Sequence, residues 1–234
     1  MQNAFPHIIT QIVSESPRVK RFFLKRKDEK PITFLSGQFV MVYNEFFNLD
    51  QQSRSYSIAS VSNTPEEIEL CIVLNETGKF TPWLFSLEIG HELMVSEPQG
   101  GFVFRGIEEP IKHVFVCTGT GIAPFRSMIH DSLMQGCETV LVFGNRWKED
   151  VLYWDHWNTL QENNLLFRFI PVLSREEVPQ FKTGYVHPYY TRELKDLNDA
   201  RIYVCGWKEM CNQTRDRLKE LGFNRRQYFF EQYD

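Results

Sequence analysis

Near residue 108 the hydrophobic pattern of this 234-residue chain changes period, and that switch limits the folds open to it more than any other feature. Before it, short apolar and aromatic runs follow one another with turns between them, at 8–13, 19–24, 38–43, 54–60, 68–74 and 91–97. In the run at 68–74, Ile68, Leu70, Ile72 and Leu74 fall on one face at a strand's period of two. One short helix is expected over 81–87, with Pro82 early enough that its missing N–H costs nothing. Strand after strand at this spacing predicts an antiparallel β-barrel or sandwich.

After the switch, continuous apolar runs alternate with helical patterns. Strands are expected at 113–117, 140–143, 167–173, 202–205 and 227–233, with helices at 124–135, 151–161, 187–197 and 209–221. The run His113-Val114-Phe115-Val116-Cys117 has the look of a strand buried on both faces. Alternating strands and helices predict an α/β doubly wound parallel sheet. The chain therefore reads as two domains, 1–108 and 109–234, with Gly106 and Pro110 punctuating a charged turn at the boundary.

Composition narrows the function classes. A net charge of −4 and the absence of a basic tail argue against nucleic acid as a partner. The five cysteines, at 71, 117, 137, 205 and 211, show no zinc or iron–sulfur spacing, and the six histidines are scattered. No structural metal is expected, and a reduced cytoplasmic chain is the simplest account. No secretory signal begins the sequence, and no apolar run reaches 18 residues, so no membrane span is expected.

Three short elements carry the candidate chemistry. Gly119-Thr120-Gly121-Ile122-Ala123-Pro124 follows a buried strand and opens a helix. Its glycines let the backbone approach a phosphate or a ring, and the helix offers N–H groups and a positive dipole end. The spacing is G-x-G-x-x-P rather than the full dinucleotide fingerprint, so a tight strand-to-helix connection without a ligand is the other reading. In Arg54-Ser55-Tyr56-Ser57, Arg54 and Tyr56 share one strand face. A guanidinium for a diphosphate beside a flat phenol suits a flavin nucleotide, and a surface cross-strand pair is the alternative. Gly78-Lys79-Phe80-Thr81 opens the short helix, where Thr81 can cap and backbone N–H groups can meet a diphosphate; a plain N-cap is the alternative.

In this order the elements resemble the ferredoxin–NADP reductase family over nearly the whole chain. Arg54-Ser55-Tyr56-Ser57 is similar to its R-x-Y-[ST] flavin motif, and Gly78 to Leu84 to its G-x-x-[ST]-x-x-L turn. Glu97-Pro98-Gln99-Gly100-Gly101-Phe102 resembles its G-P-x-G-x-F segment. Phe143-Gly144-Asn145-Arg146, with Asp150 and Leu152-Tyr153, resembles G-x-R-x-x-x-D-x-L-Y, and Val204-Cys205-Gly206 with Met210 resembles V-C-G-P-x-x-M.

The resemblance implies a flavin-binding β-barrel followed by an NAD(P)-binding domain. It implies that Arg54 binds the flavin diphosphate, Tyr56 packs on the ring or ribityl chain, and Ser57 sits near flavin N5. Gly78, Lys79, Phe80 and Thr81 complete the diphosphate site in this reading. Gly119, Thr120, Gly121 and Pro124 admit the nicotinamide nucleotide, with Cys205 and Gly206 beside its ring. Glu231 and Tyr233 resemble an E-x-[YF] ending whose aromatic covers the flavin. Ser174 and Arg175 resemble contacts to a 2′-phosphate, which favours NADPH over NADH, and Lys182 and Tyr185 stand near enough in sequence to assist. Two arms of the pattern differ: Trp207 replaces the usual proline after Cys-Gly, and Asp234 follows Tyr233.

The implied activity passes hydride from NAD(P)H to FAD, then electrons to a separate acceptor such as ferredoxin or flavodoxin. FAD is expected over FMN because Arg54 and the Gly78 turn together suit a diphosphate. A basic rim, Lys20, Arg21, Lys25, Arg26 and Lys27, is a candidate dock for an acidic partner. The rival readings are a reductase of free flavin, ferric chelates or quinone, and a non-catalytic nucleotide-binding subunit.

Overall fold

A computed structural model describes residues 4–44, 53–61, 66–106, 111–194 and 200–233. Pro110, the end of the expected helix at 187–197 and Asp234 lie outside the described residues. By contacts the chain divides into Met1–Phe104 with Ala123–Met128, and Arg105–Ile122 with Ile129–Asp234.

The first unit is built on β1 (Ala4–Ser16), β2 (Val19–Arg26), β3 (Phe39–Tyr43), β4 (Ser53–Ser57), β5 (Ile68–Val73) and β6 (Glu92–Ser96), with the single-turn helix α1 (Phe80–Phe85) between β5 and β6. The sheet order is β4-β3-β6-β1-β2-β5, and the described pairings are antiparallel. β1 outruns the expected 8–13 because it serves two partners. Its start pairs with β6 (Ala4 opposite Ser96) and His7 to Ser16 with β2, through register shifts at Ile9/Gln11 and Ser14/Ser16. The two ends of the order meet through an Ile58–Leu70 bridge, and the Ala59 N–H donates to the Glu69 carbonyl at 2.7 Å. That contact closes the sheet into a barrel and removes its open edges. Ile9, Phe22, Leu24, Val40, Val42, Ile68 and Leu70 fill the interior at 0% exposure.

β5 buries Ile68, Leu70 and Ile72 on one face as expected, but its other face is buried too. Glu69 and Cys71, on its other face, are 4% and 5% exposed, and Leu74 falls beyond the strand. The reason is an ion pair inside the same unit. The Arg126 Nη1 donates to Glu69 Oε2 and to the Ala59 carbonyl, and Arg21 lies 3.6 Å from Glu69 Oε1. That other face is covered by paired charges.

The second unit holds β7 (His113–Thr118), β8 (Thr139–Asn145), β9 (Phe167–Leu173), the two-residue β10 (Lys182–Thr183), β11 (Arg201–Trp207) and β12 (Tyr228–Tyr233). All are parallel, in the order β10-β9-β8-β7-β11-β12. The helices are α2 (Ala123–Met134), whose first half, Ala123–Met128, groups with the first unit, α3 (Trp154–Asn163), α4 (His187–Leu194) and α5 (Lys208–Glu220). Val114, Phe115, Val116 and Cys117 of β7 are all 0% exposed, as the unbroken apolar run requires. Each such side chain contributes on the order of 1.5–3 kcal/mol by burial. α3 starts three residues later than expected because Tyr153 adopts a left-handed conformation (φ 57°) that ends the preceding turn. β10 was not expected, since two residues cannot carry a strand's period.

From β7 the sheet grows through β8, β9 and β10 on one side, and through β11 and β12 on the other. The crevice between the carboxyl ends of β7 and β11 is therefore a topological switch point, where open α/β sheets bind ligands.

Candidate functional site

In the barrel, β4 and α1 bring three expected residues together. Arg54 and Tyr56 leave β4 on the same face, two residues apart. The Arg54 guanidinium lies over the Phe80 ring at 5.6 Å, and the Tyr56 ring is 6.4 Å from Phe80. Arg54 is exposed, with its Nη1 donating to the Ser53 carbonyl at 2.7 Å, so its remaining donors face outward. Phe80 is 4% exposed and forms the floor. Ser57, last in β4 and opposite Phe39, is 6% exposed.

The loop before α1 differs from the expectation in one respect: Thr81 is not the cap. Lys79 occupies that position without a side-chain cap bond, and the Thr81 hydroxyl accepts from the Asn75 N–H at 2.8 Å. The Gly78 N–H donates to the Asn75 carbonyl at 3.1 Å. Thr81 thus fixes the approach to the turn, and Gly78 to Phe80 supply its backbone.

The Tyr56 hydroxyl is a buried polar atom with no hydrogen-bond partner among the described residues. Burial raises its pKa far above the ordinary phenol value, opposed only by the charge of Arg54. A neutral O–H left without a partner costs about 1–3 kcal/mol. An unfilled donor beside an outward guanidinium and a buried ring is what a polar, flat, anionic ligand would complete, and a flavin diphosphate nucleotide fits it.

In the sheet, the turn Gly119–Ile122 is a single 3-10 turn at the end of β7, followed by α2 with Ile122 as N-cap and Pro124 in its first turn. A Cβ on Gly121 would lie 2.7 Å from the Cys205 carbonyl carbon and 2.8 Å from the Gly206 Cα. One on Gly206, whose φ is +135°, would lie 2.9 Å from the Thr118 carbonyl oxygen. Gly121 is therefore demanded by the neighbouring strand end and not by direct approach to a phosphate. Gly119, with φ +53° and open space around a hypothetical Cβ, and Thr120 form the half-buried lip. Thr118, absent from the sequence-level candidates, ties the crevice together: its Oγ1 accepts from the Trp207 N–H at 3.1 Å. Only its place immediately before the glycine turn hints at this role.

Cys205 is 0% exposed and opposite Glu231 in the β11–β12 register. Burial, reinforced by the Glu231 carboxylate and by Cys117 and Cys211, pushes its thiol well above the ordinary range, against a hydrogen bond from Tyr233. The thiol is neutral at any working pH, so it offers a polarisable surface and not a thiolate nucleophile. Cys205, Gly206, Glu231 and Tyr233 are brought together with the glycine turn by β11 and β12.

Ser174 and Arg175 stand elsewhere along the same edge. Their N–H groups donate to the Asn145 and Arg146 carbonyls at 3.0 and 3.1 Å, which fixes the loop after β9 to that after β8, and Arg175 is exposed. Three strand steps separate β9 from β11, about 14 Å. That spacing suits the two ends of one dinucleotide. A cavity of about 740 Å³ lined by Trp154, Asp155, Asn158, Phe169 and Pro171 contains none of the expected residues.

The basic rim is corrected. Arg26 is 5% exposed and held by Asp28 at 2.9 Å and Glu97 at 2.7 Å. Arg21 pairs with Glu15 and Glu69, Lys25 with Glu29 and Lys27 with Glu92, while Lys20 donates to the Phe85 carbonyl. The run is neutralised within the barrel instead of presenting a positive face.

Residues 7–104 match the oxidoreductase FAD-binding domain and residues 115–216 the oxidoreductase NAD-binding domain. The ferredoxin–NADP reductase B of Sorangium cellulosum (strain So ce56) is 31% identical over 94% of this chain and 93% of its own length. The chain belongs to the ferredoxin–NADP reductase family. This reductase is an FAD-dependent oxidoreductase that takes electrons from NAD(P)H. Its fold is shared with an Amycolatopsis cytochrome P450 reductase (TM-score 0.89, 22% identity, 98% of this chain and 69% of that one). It is shared too with a Neisseria gonorrhoeae ferredoxin NADP+ reductase solved with FAD and NADP (TM-score 0.84, 22% identity, 99% of each). Three further relatives are longer proteins, of which the reductase spans 60%, 60% and 55%. Among the described residues, no helix is long and apolar enough to cross a membrane, and no group of three metal-binding side chains occurs.

Proposed function

We propose that this reductase uses NADPH to reduce a separate one-electron carrier protein of the ferredoxin or flavodoxin kind. The observation that carries the reading is the pair of sites just described: a diphosphate-suited Arg54–Tyr56–Phe80 cluster in one domain, and a glycine-built switch-point crevice in the other. The domains are taken as 1–108 and 109–234. The carrier is inferred from the match along 93% of a protein named as a ferredoxin–NADP reductase.

Bound FAD supplies the chemistry of accepting a hydride and releasing electrons singly. Arg54 neutralises the diphosphate, helped by the Gly78, Lys79, Phe80 and Thr81 backbone, and the Tyr56 hydroxyl gains the partner it lacks. Ser57, buried at the end of β4, orients the reacting edge of the ring. Gly119, Thr120, Gly121 and Pro124 seat the nicotinamide half, while Cys205 and Gly206 give it a close backbone wall. Glu231 and Tyr233 complete that wall. Ser174 and Arg175 hold the 2′-phosphate, since a hydroxyl and a guanidinium match a phosphate monoester.

The test is the visible spectrum of the purified protein, followed by anaerobic addition of NADPH or NADH and then of oxidised ferredoxin or flavodoxin. Flavin bands near one per chain, bleached faster by NADPH and restored by the carrier, are expected. Restoration by free flavin or ferric chelate but not by either carrier would replace the acceptor. A chain that takes up neither FAD nor FMN would overturn the reading.

A further inference from the structure

Trp207 stands where the expected motif has proline, and the nicotinamide reading above does not use its side chain. Its indole is 63% exposed although it ends β11, whose preceding five residues are all buried. It sits at the carboxyl edge of the sheet, one residue past Gly206 and at the switch point between β7 and β11. Two contacts fix its backbone. The N–H donates to Thr118 Oγ1 at 3.1 Å, and Gly206 packs against the Thr118 backbone too closely for any side chain. In the parallel register Trp207 lies opposite Tyr233, so both aromatic side chains leave the sheet on the same face.

The indole stands beside the proposed nucleotide crevice on a backbone fixed at two points, so its face is open to a flat ligand there. The oxidised nicotinamide ring is flat and carries a positive charge, and indole is the side chain whose face attracts such a cation most strongly. We propose that Trp207 is a positioning residue for the nicotinamide half of the dinucleotide, its indole stacking on the ring or its ribose and holding the oxidised form in particular. The inference rests on the nucleotide-site reading of the Gly119–Pro124 crevice. The proline of the family pattern fits the backbone, since the Trp207 φ is −54°. It removes both the N–H bond to Thr118 and the stacking face.

The FAD-loaded protein and its Trp207→Ala, Trp207→Phe and Trp207→Pro variants are titrated by calorimetry with NADP+ and with 2′,5′-ADP, which lacks the nicotinamide. If the wild type prefers the unphosphorylated series, NAD+ and AMP take their places. Trp207→Ala is expected to weaken the dinucleotide about tenfold and to leave the adenine half within about twofold. Trp207→Phe should retain most of the affinity, and Trp207→Pro should lose at least as much as Trp207→Ala. The drop in tryptophan emission on adding NADP+ should be smaller in Trp207→Phe than in wild type, which a purely structural role would not produce. Unchanged dinucleotide affinity in Trp207→Ala, or equal weakening of both ligands, overturns the proposal. Should the alanine variant not fold, the phenylalanine and proline variants decide it by the same two ligands. A wild-type protein that binds neither ligand fails at the earlier step and overturns the crevice reading itself.

Discussion

Both domains bury neutral polar side chains, but among the described residues only the barrel also buries charged ones, and these are paired. Arg26 is held by Asp28 and Glu97, and Glu69 by Arg126 and Arg21. In the sheet, His113 Nδ1 lies 2.7 Å from the Ser132 hydroxyl, itself 2.7 Å from that of Thr139, and all three are 0% exposed. His187 bonds the Tyr190 hydroxyl at 3.1 Å. Of the sheet domain's ion pairs, Lys112 with Glu138 and Glu193 sits just ahead of β7, and Arg168 of β9 reaches Glu193 from a half-exposed side chain. The barrel's charges lie on the outer face of β5 and at the end of β2, near water, so long charged side chains can meet there and keep part of their hydration. A parallel sheet covered by helices leaves no such route, and only uncharged groups are tolerated there.

The sharpest way to break this comparison is to unbalance the barrel's pair. Glu69→Gln keeps the volume and leaves Arg126 and Arg21 facing a neutral amide, which should cost about 3–5 kcal/mol. The urea midpoint of the FAD-free protein reads this directly. Replacing Glu69 and Arg126 together by Leu and Met should recover most of the loss, because an apolar pair needs no compensation. Full stability in Glu69→Gln would mean that the carboxylate carries no structural charge.

The sheet's counterpart is a response to acid. Burial holds the His113 pKa at about 4, with the Arg201 charge pushing the same way. The unfolded chain, with an ordinary value near 6.5, takes up its proton first as pH falls. Stability is therefore complete above pH 6.5, is lost between 6.5 and about 4, and levels off below, by at most about 3 kcal/mol. His7 and His187 are also lowered by burial and add loss of the same sign. Urea midpoints against pH should show this slope in wild type and a shallower one in His113→Asn. Identical slopes would place the acid response outside His113.

The same contrast explains what was legible in the sequence. The sheet announced itself: β9 fell on its expected residues, and β7 ran one residue beyond, because an unbroken apolar run has one meaning when both faces are covered. The barrel was legible as strand after strand, but its charges misled. Lys20 to Lys27 read as a candidate basic rim, and nothing marked Glu69 as a buried charge, because a sequence does not show which charges meet across a barrel. In the candidate site, the shared face of Arg54 and Tyr56 was readable from strand period, while the turn before Phe80 joined them only through the family resemblance. The hydroxyl of Thr81 was misassigned, since its partner Asn75 lies in a loop whose course follows no period. The bond from Trp207 to Thr118 joins residues 89 apart and depends on strand order, which no local pattern encodes.

A smaller effect separates the two nucleotide sites. Arg175 is exposed, anchored only through its backbone, so Arg175→Ala should leave stability unchanged. It should raise the KM for NADPH about tenfold, near 1.4 kcal/mol, with little change for NADH. Equal changes with both nucleotides would remove the 2′-phosphate from this loop, and the FAD affinity of the barrel serves as the internal control.

The smallest expected effect is the most pointed, because its sign reverses with the ligand. The Tyr56 hydroxyl is buried without a partner among the described residues, so the FAD-free protein bears its desolvation and gains nothing from it. Tyr56→Phe should therefore leave the FAD-free protein as stable as wild type, or more stable by up to about 1 kcal/mol. If the hydroxyl is completed by FAD, the same substitution should weaken FAD up to about tenfold, measured by titrating the FAD-free protein and following quenching of flavin emission. A loss of stability without FAD would mean the hydroxyl already has a partner in the folded chain. Unchanged affinity would leave the ring of Tyr56, and not its hydroxyl, as the feature that matters beside Arg54.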